Sequence, residues 1–132
     1  MPYLHIQLSG ASDDALARRT AQSAAELTAN LLHKDRALTA VVVDFIEPRH
    51  WFIAGQPLAD TGTRSYHWFL TITDETNTKA EKARYIEAVH TAMQEILGAV
   101  AEHSYVQVAD VRAGAYGYGG ITQECRYQHD KK

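Results

Sequence analysis

The residue with the most chemistry to offer is the second one. Proline follows the initiator methionine in MPYLHIQL, at the head of a segment whose apolar and polar residues alternate as in a strand. Aminopeptidases remove methionine when the next residue is small, and proline qualifies. The mature chain would then begin with a secondary amine in place of an amide, a base that only a terminal proline provides. An α-amino group titrates near roughly 7.7–8.0 in water, and burial among apolar groups disfavours its charged form and lowers that value. Neutral, such an amine takes a proton from carbon beside a carbonyl and returns it elsewhere, and a general base works best when its pKa lies near the operating pH. Charged, it is an acid that protonates a carbanion or enol. The sequence leaves both states open.

The rest of the chain must bury and orient that terminus. Its 132 residues are one domain's worth, and 45% hydrophobic composition is enough for a core. Thirteen basic residues against sixteen acidic ones, scattered along the chain, show no footprint for nucleic acid. No apolar run has the roughly 18 residues of a membrane span, and no signal peptide is visible at the start, so neither membrane nor export is expected. One cysteine, Cys125, excludes an intrachain disulfide and agrees with a cytoplasmic location. The seven histidines show no H-x-H or H-x-x-x-H pairing, so no metal or other cofactor is expected. The glycine-rich GAYGYGG lacks a convincing helix behind it and reads as a hairpin or β-turn, with a frayed polar tail from Tyr127.

Periodicity predicts a repeated order of strand, helix and strand. Leu4, Ile6 and Leu8 share a strand face, followed by a helix with Ser12 as N-cap and Leu16, Thr20, Ser23, Leu27 and Leu31 as its inward stripe. LTAVVVDFI is then a buried strand. SYHWFLTIT, a helix opened by the Thr78/Glu81 capping box with Ile86, Val89, Met93 and Leu97 inward, and SYVQVADV repeat the order. A shift of 64 places Leu4 on Trp68 and WFIAG (51–55) on AYGYG (115–119), and a two-residue insertion before the second helix places Leu27 on Met93. The fold class expected is α/β (α+β), a single domain over 1–132 made of two βαβ units, about 2–56 and 65–120. Its four-stranded sheet has both helices on one face. VVVDF and WFLTI are too apolar to leave the other face wet, which predicts oligomerisation through it. Pro2 falls on Tyr66 in the second unit, so the repeat does not need proline to fold.

MP opening a strand, KDRALTAVVV leading from helix to second strand, and HWFIAG echoed by YGYGG resemble the tautomerase superfamily, whose members use an amino-terminal proline as catalytic base. The resemblance spans about residues 2–120. It is to the fused 4-oxalocrotonate tautomerase-like members, with a fold also shared by macrophage migration inhibitory factor. It implies a cofactor-free homotrimer acting on a small α-keto or enol acid, with Pro2 as acid or base. The same superfamily implies, as alternatives, a hydratase, decarboxylase or dehalogenase of a short unsaturated or β-keto acid using a charged Pro2. A non-catalytic trimeric scaffold is the alternative outside enzymes.

The family's carboxylate-binding arginines do not recur. Ala11, Asn77 and the run Val41–Val43 stand where the resemblance places them, and Asn cannot reproduce the planar bidentate fork of Arg. Asn77 is therefore a candidate substrate contact, and Arg36, Arg49, Arg64, Lys79 and Arg112 are candidate replacement cations. Asp35 falls in the loop that carries the decarboxylase acid, and Gln107 about where dehalogenase relatives have a tyrosine. Gln is a poor acid. Phe52 and Tyr116 resemble the aromatic wall of the proline pocket. Trp51 and Tyr118 are either part of that wall or trimer contacts.

Overall fold

A computed structural model describes residues 1–130. One sheet carries the fold, in the order β2-β1-β5-β6, from strands β1 (Tyr3–Ser9), β2 (Ala40–Ile46), β5 (Tyr66–Thr73) and β6 (Tyr105–Val111). β1 pairs in parallel with β2, and β5 with β6. Between the two pairs, β1 and β5 run antiparallel, with Leu4 opposite Leu70 and Ile6 opposite Trp68. That register is unchanged when each residue is exchanged for its counterpart 64 positions away, so the two halves are related by an approximate twofold across the sheet centre.

Each parallel pair needs a crossover. α1 (Asp14–Leu32) supplies one and α3 (Lys79–Leu97) the other. Both pack on the same face, over Leu4, Ile6, Leu8, Trp68, Leu70 and Ile72, all fully buried. The second helix begins with the expected capping box, Thr78 accepting from the Glu81 backbone while the Glu81 carboxylate accepts from the Thr78 amide. The first differs from expectation. Asp13, not Ser12, is its N-cap, because the Asp13 carboxylate accepts from the Leu16 amide at 3.1 Å.

That one-residue change moves the helix register. α1 buries Thr20, Ala24, Thr28 and Leu32, while α3 buries Tyr85, Val89, Met93 and Leu97. The offset is 65 at every one of these pairs, so the insertion before the second helix is one residue and not two. Leu16, Leu27 and Leu31 pack at the edge of the core, and Ile86 is 39% exposed. Small residues on α1 therefore face large ones on α3. The contact is sealed by the Tyr85 hydroxyl, which accepts from Trp68 Nε1 at 3.0 Å and shares a 2.8 Å hydrogen bond with Thr28 Oγ1.

The 65-residue offset persists to the hairpins. A short 3-10 turn at Pro48–His50 leads into β3 (Phe52–Ile53) and β4 (Gln56–Pro57), and its counterpart at Ala113–Ala115 leads into β7 (Gly117–Tyr118) and β8 (Ile121–Thr122). Ala54 and Gly55 match Gly119 and Gly120, all four at positive φ. Trp51, not Phe52, is thus the counterpart of Tyr116: the Trp51 carbonyl accepts from the Leu58 amide as that of Tyr116 does from Gln123. Each hairpin runs into a helix, the short α2 (Leu58–Thr61) and the longer α4 (Gln123–Asp130). The expected frayed tail from Tyr127 is therefore helical up to Asp130.

The outer sheet face also departs from expectation. Val41, Val43 and Phe45 lie in register with Leu4, Ile6 and Leu8 and pack on the core, as do Trp68 and Leu70. Alternation gives the outer face His5, Gln7, Asp44, His67 and Gln107 among Tyr3, Val42, Phe69 and Tyr105. It is mixed rather than apolar, and His5 hydrogen-bonds Asp44 across strands at 2.6 Å.

Tyr85→Phe strands two buried polar groups, Thr28 Oγ1 and Trp68 Nε1, and is expected to cost about 1–3 kcal/mol in urea unfolding. An unchanged midpoint would show that this hydroxyl does not hold the two units together.

Candidate functional site

Pro2 lies one residue before β1 and is buried. Its carbonyl accepts from the Ala40 amide at 3.3 Å, which fastens it to the start of β2. The cavity beside it, about 590 Å³, is walled by Tyr3, the Ala37–Ala40 segment and the second unit's hairpin, Tyr116 to Tyr118. The approximate twofold explains this wall, since it lays the hairpin of one unit over the first strand of the other.

Tyr116 carries the closest contact. Its hydroxyl donates to the Met1 carbonyl, with the Thr71 carbonyl a second acceptor at 3.3 Å. Burial pushes its pKa up, so the phenol stays protonated. The Met1 carbonyl carbon is bonded to the Pro2 nitrogen, so this hydroxyl lies beside the atom that methionine removal would expose. The Met1 amine itself titrates below its ordinary value, first because it is half-buried and second because Lys34 is near.

Lys34 follows His33, the left-handed residue (φ 58°) that ends α1. Its Nζ donates to Thr76 Oγ1 at 2.8 Å, bridging the loops after α1 and β5. Burial lowers its own pKa, while Glu81 and Asp110 oppose that shift. A second cavity of about 570 Å³ opens on these loops, reaching Thr73–Thr76 on one side and Arg126 of α4 on the other. Met1, Leu38 and Tyr118 line both cavities.

The other expected site residues scatter. Asn77 Nδ2 donates to the Leu32 carbonyl at 3.0 Å and to Glu81 Oε1 at 3.3 Å, joining the end of α1 to the start of α3. Asp35 caps the 3-10 turn Arg36–Leu38, accepting from the Ala37 amide at 2.9 Å. It shapes the segment that walls the proline cavity, while Arg36 is exposed on that turn. Arg49 pairs with Glu47, and Arg64 donates to the Ser9 carbonyl. Phe52 and Gln107 line a different cavity, of about 860 Å³, with Trp51, Tyr66, His67 and His103. This is the proline cavity's counterpart under the twofold. Tyr66 replaces Pro2 there, its hydroxyl bonded to His90 Nδ1 at 2.7 Å and its pKa pushed up by burial to about 12. That cavity is larger but has no chain terminus beside it.

Sequence reasoning passed over two cations, Lys34 and Arg126. Lys34 adjoins Asp35 in HKDR, the loop already singled out, and that adjacency was a usable signal. Arg126 had none, because its helix was expected to be a frayed tail. Among the described residues no group of three or more His, Cys, Asp or Glu is placed to hold a metal ion.

Asn77→Ala should lower stability by about 1 kcal/mol through the lost helix-to-helix tie. Stability held while ligand affinity at the proline cavity falls would instead make Asn77 a ligand contact.

No protein-family model matches the chain, and no curated protein matches it in sequence. Solved structures do match it in fold. Pt0534, solved after inactivation by 2-oxo-3-pentynoate, superposes with a TM-score of 0.82 at 17% identity, covering 94% of this chain and 98% of its own. A fused 4-OT solved as a symmetric trimer gives 0.81 at 14% identity, over 94% and 98%. A macrophage migration inhibitory factor-like protein from Entamoeba histolytica gives 0.75 at 13%, over 92% and 97%. Matched over more than nine-tenths of its length, the chain has the fold of these fused 4-OT and macrophage migration inhibitory factor-like structures.

Proposed function

We propose that the chain is a tautomerase-type enzyme that moves a proton on a small α-keto or enol acid, with the amine of Pro2 as the base. The observation that carries this reading is the seat of Pro2, buried at the head of β1 under the other unit's hairpin, with the Tyr116 hydroxyl beside its nitrogen. Removal of Met1 leaves a secondary amine there. The environment that holds the Met1 amine below its ordinary pKa, burial and the Lys34 charge, then acts on the prolyl amine. Both favour the neutral form, which is the base. That favours proton abstraction over the acid chemistry of a charged proline.

The step balances without a cofactor. The amine lone pair takes a proton from carbon beside the substrate carbonyl, and the C–H electron pair becomes the enol double bond while the carbonyl oxygen becomes an enolate. The prolyl ammonium then returns the proton to that oxygen or to another carbon. Tyr116 supplies orientation. With the Met1 carbonyl gone, its hydroxyl bonds either the prolyl nitrogen or the Thr71 carbonyl. In the second case its oxygen accepts from the amine N–H.

The inactivator bound to Pt0534 is a 2-oxo acid, the class proposed here. The fused 4-OT trimer supports the same assembly for this chain. Tyr3, Val42 and Tyr105 on the outer sheet face, each at least 40% exposed, would be covered in such a trimer.

Untagged protein lacking Met1 by intact mass should interconvert the enol and keto forms of phenylpyruvate, and Pro2→Ala should slow this on the order of 10²–10⁴-fold. Activity indifferent to Pro2→Ala would refute the assignment. kcat/KM should rise with pH through the amine pKa, since deprotonation makes the base. Lys34→Met removes a neighbouring positive charge, so it should raise that pKa and move the acidic limb to higher pH. An unmoved or lowered limb would contradict the role given to Lys34.

A further inference from the structure

The reading above leaves a substrate carboxylate without its partner, because the family's arginine positions hold Ala11, Asn77 and valines. We infer that Arg126, on the C-terminal helix α4, is the residue that holds this carboxylate. The inference rests on the Pro2 reading for its substrate class, and on separate geometry for its site.

Three features of Arg126 single it out. Its guanidinium carbon lies over the Tyr118 ring, 3.8 Å from the centroid, and Nη2 donates to the Tyr118 carbonyl at 2.9 Å. Two contacts thus position the group before any ligand arrives, which reduces the entropy lost on binding. Its Nε is buried and makes no hydrogen bond, an uncommon condition for a charged donor. Among the described residues, no Asp or Glu lies within ion-pairing distance of it. Three acids share the cavity wall without reaching it: Glu124, whose Oε2 lies against Gly114, Asp74, whose Oδ1 accepts from the Glu75 amide, and Glu75 itself. Arg126 is thus a positioned, half-buried cation lacking an anion.

Its position fits the chemistry. Arg126 lines a cavity that shares Met1, Leu38 and Tyr118 with the Pro2 cavity. Removal of Met1 takes away one of these three shared wall residues. A short acid then has its carboxylate at the Arg126 fork and its carbonyl carbon toward the prolyl amine. Of the cations considered from the sequence, Arg36, Arg49, Arg64, Lys79 and Arg112 line neither cavity, and Arg49 is paired with Glu47. Lys34, already bonded to Thr76, is a point charge without a planar fork.

The test uses untagged, Met1-free chain with two probes of one shape, benzoate and benzamide, titrated by NMR, beside kcat and KM for phenylpyruvate and its methyl ester. Arg126→Gln should weaken benzoate roughly 10- to 100-fold and raise KM for the acid similarly, leaving benzamide and the ester within about twofold. Arg126→Lys, which keeps the charge but loses the fork, should recover part of the loss. Circular dichroism of both variants checks that α4 persists. Equal losses for charged and neutral probes, or none, would overturn the role of Arg126 even if Pro2-dependent turnover is found. Charge-selective binding lost in Arg126→Gln without any Pro2-dependent turnover would keep Arg126 as the carboxylate site and remove the tautomerase reading.

Discussion

Everything else in the structure follows from the antiparallel pairing of β1 with β5. Each unit is a parallel strand pair and one crossover helix, and alone it would leave the open side of its first strand unpaired. Joining the two first strands back to back closes those edges and gives Leu4, Ile6, Trp68 and Leu70 a common floor under both helices. The same pairing sets where the hairpins fall. Because the halves point in opposite directions, the turn that ends one unit covers the strand that begins the other. The start of a strand, normally the most exposed part of a chain, is thereby roofed. For the first unit that start is Pro2.

The two cavities related by the twofold differ in what lines them. In one, the strand begins at a chain terminus and a hairpin tyrosine reaches the backbone just ahead of it. In the other, the strand is entered from a linker, and Tyr66 stands in place of Pro2 with its hydroxyl committed to His90. Two units within one chain can differ residue by residue. Here Pro2 and the chain terminus stand at one end, and a larger hollow of histidines, glutamines and aromatic rings stands at the other. The cations divide in the same way. Lys34 and Arg126 both stand by the proline side, on a loop and a helix contributed by different units.

Much of this was legible in the residues. Alternation in YLHIQL and WFLTIT fixed the buried strand faces, and the Thr78/Glu81 box marked its helix start because both partners of the motif are local. Features set by distant packing were harder. Asp13 displaces Ser12 as N-cap when the helix turns Thr20 and Thr28 toward the core, where Tyr85 of α3 supplies Thr28 with bulk and a hydrogen-bond partner while Thr20 Oγ1 is buried without one. The hairpin register slipped by one for a related reason: WFIAG and AYGYG align by their aromatic look, whereas the structure aligns them by positive φ at Ala54 and Gly119. Asn77 was read as a ligand contact from its place in the family pattern, yet its amide joins two helices. Arg126 could not be found at all without the helix that carries it.

The central claim is that Pro2 ends the mature chain as a neutral amine at neutral pH, and an NMR titration of the ¹⁵N-proline-labelled, untagged protein measures it most directly. The account predicts a single titration of the prolyl nitrogen below the roughly 7.7–8.0 of an ordinary α-amine, since Pro2 is buried and burial disfavours the charged form, and since Lys34 already lowers the pKa of the neighbouring Met1 amine. A value at or above that range, or a nitrogen that stays an amide because Met1 is retained, would contradict it.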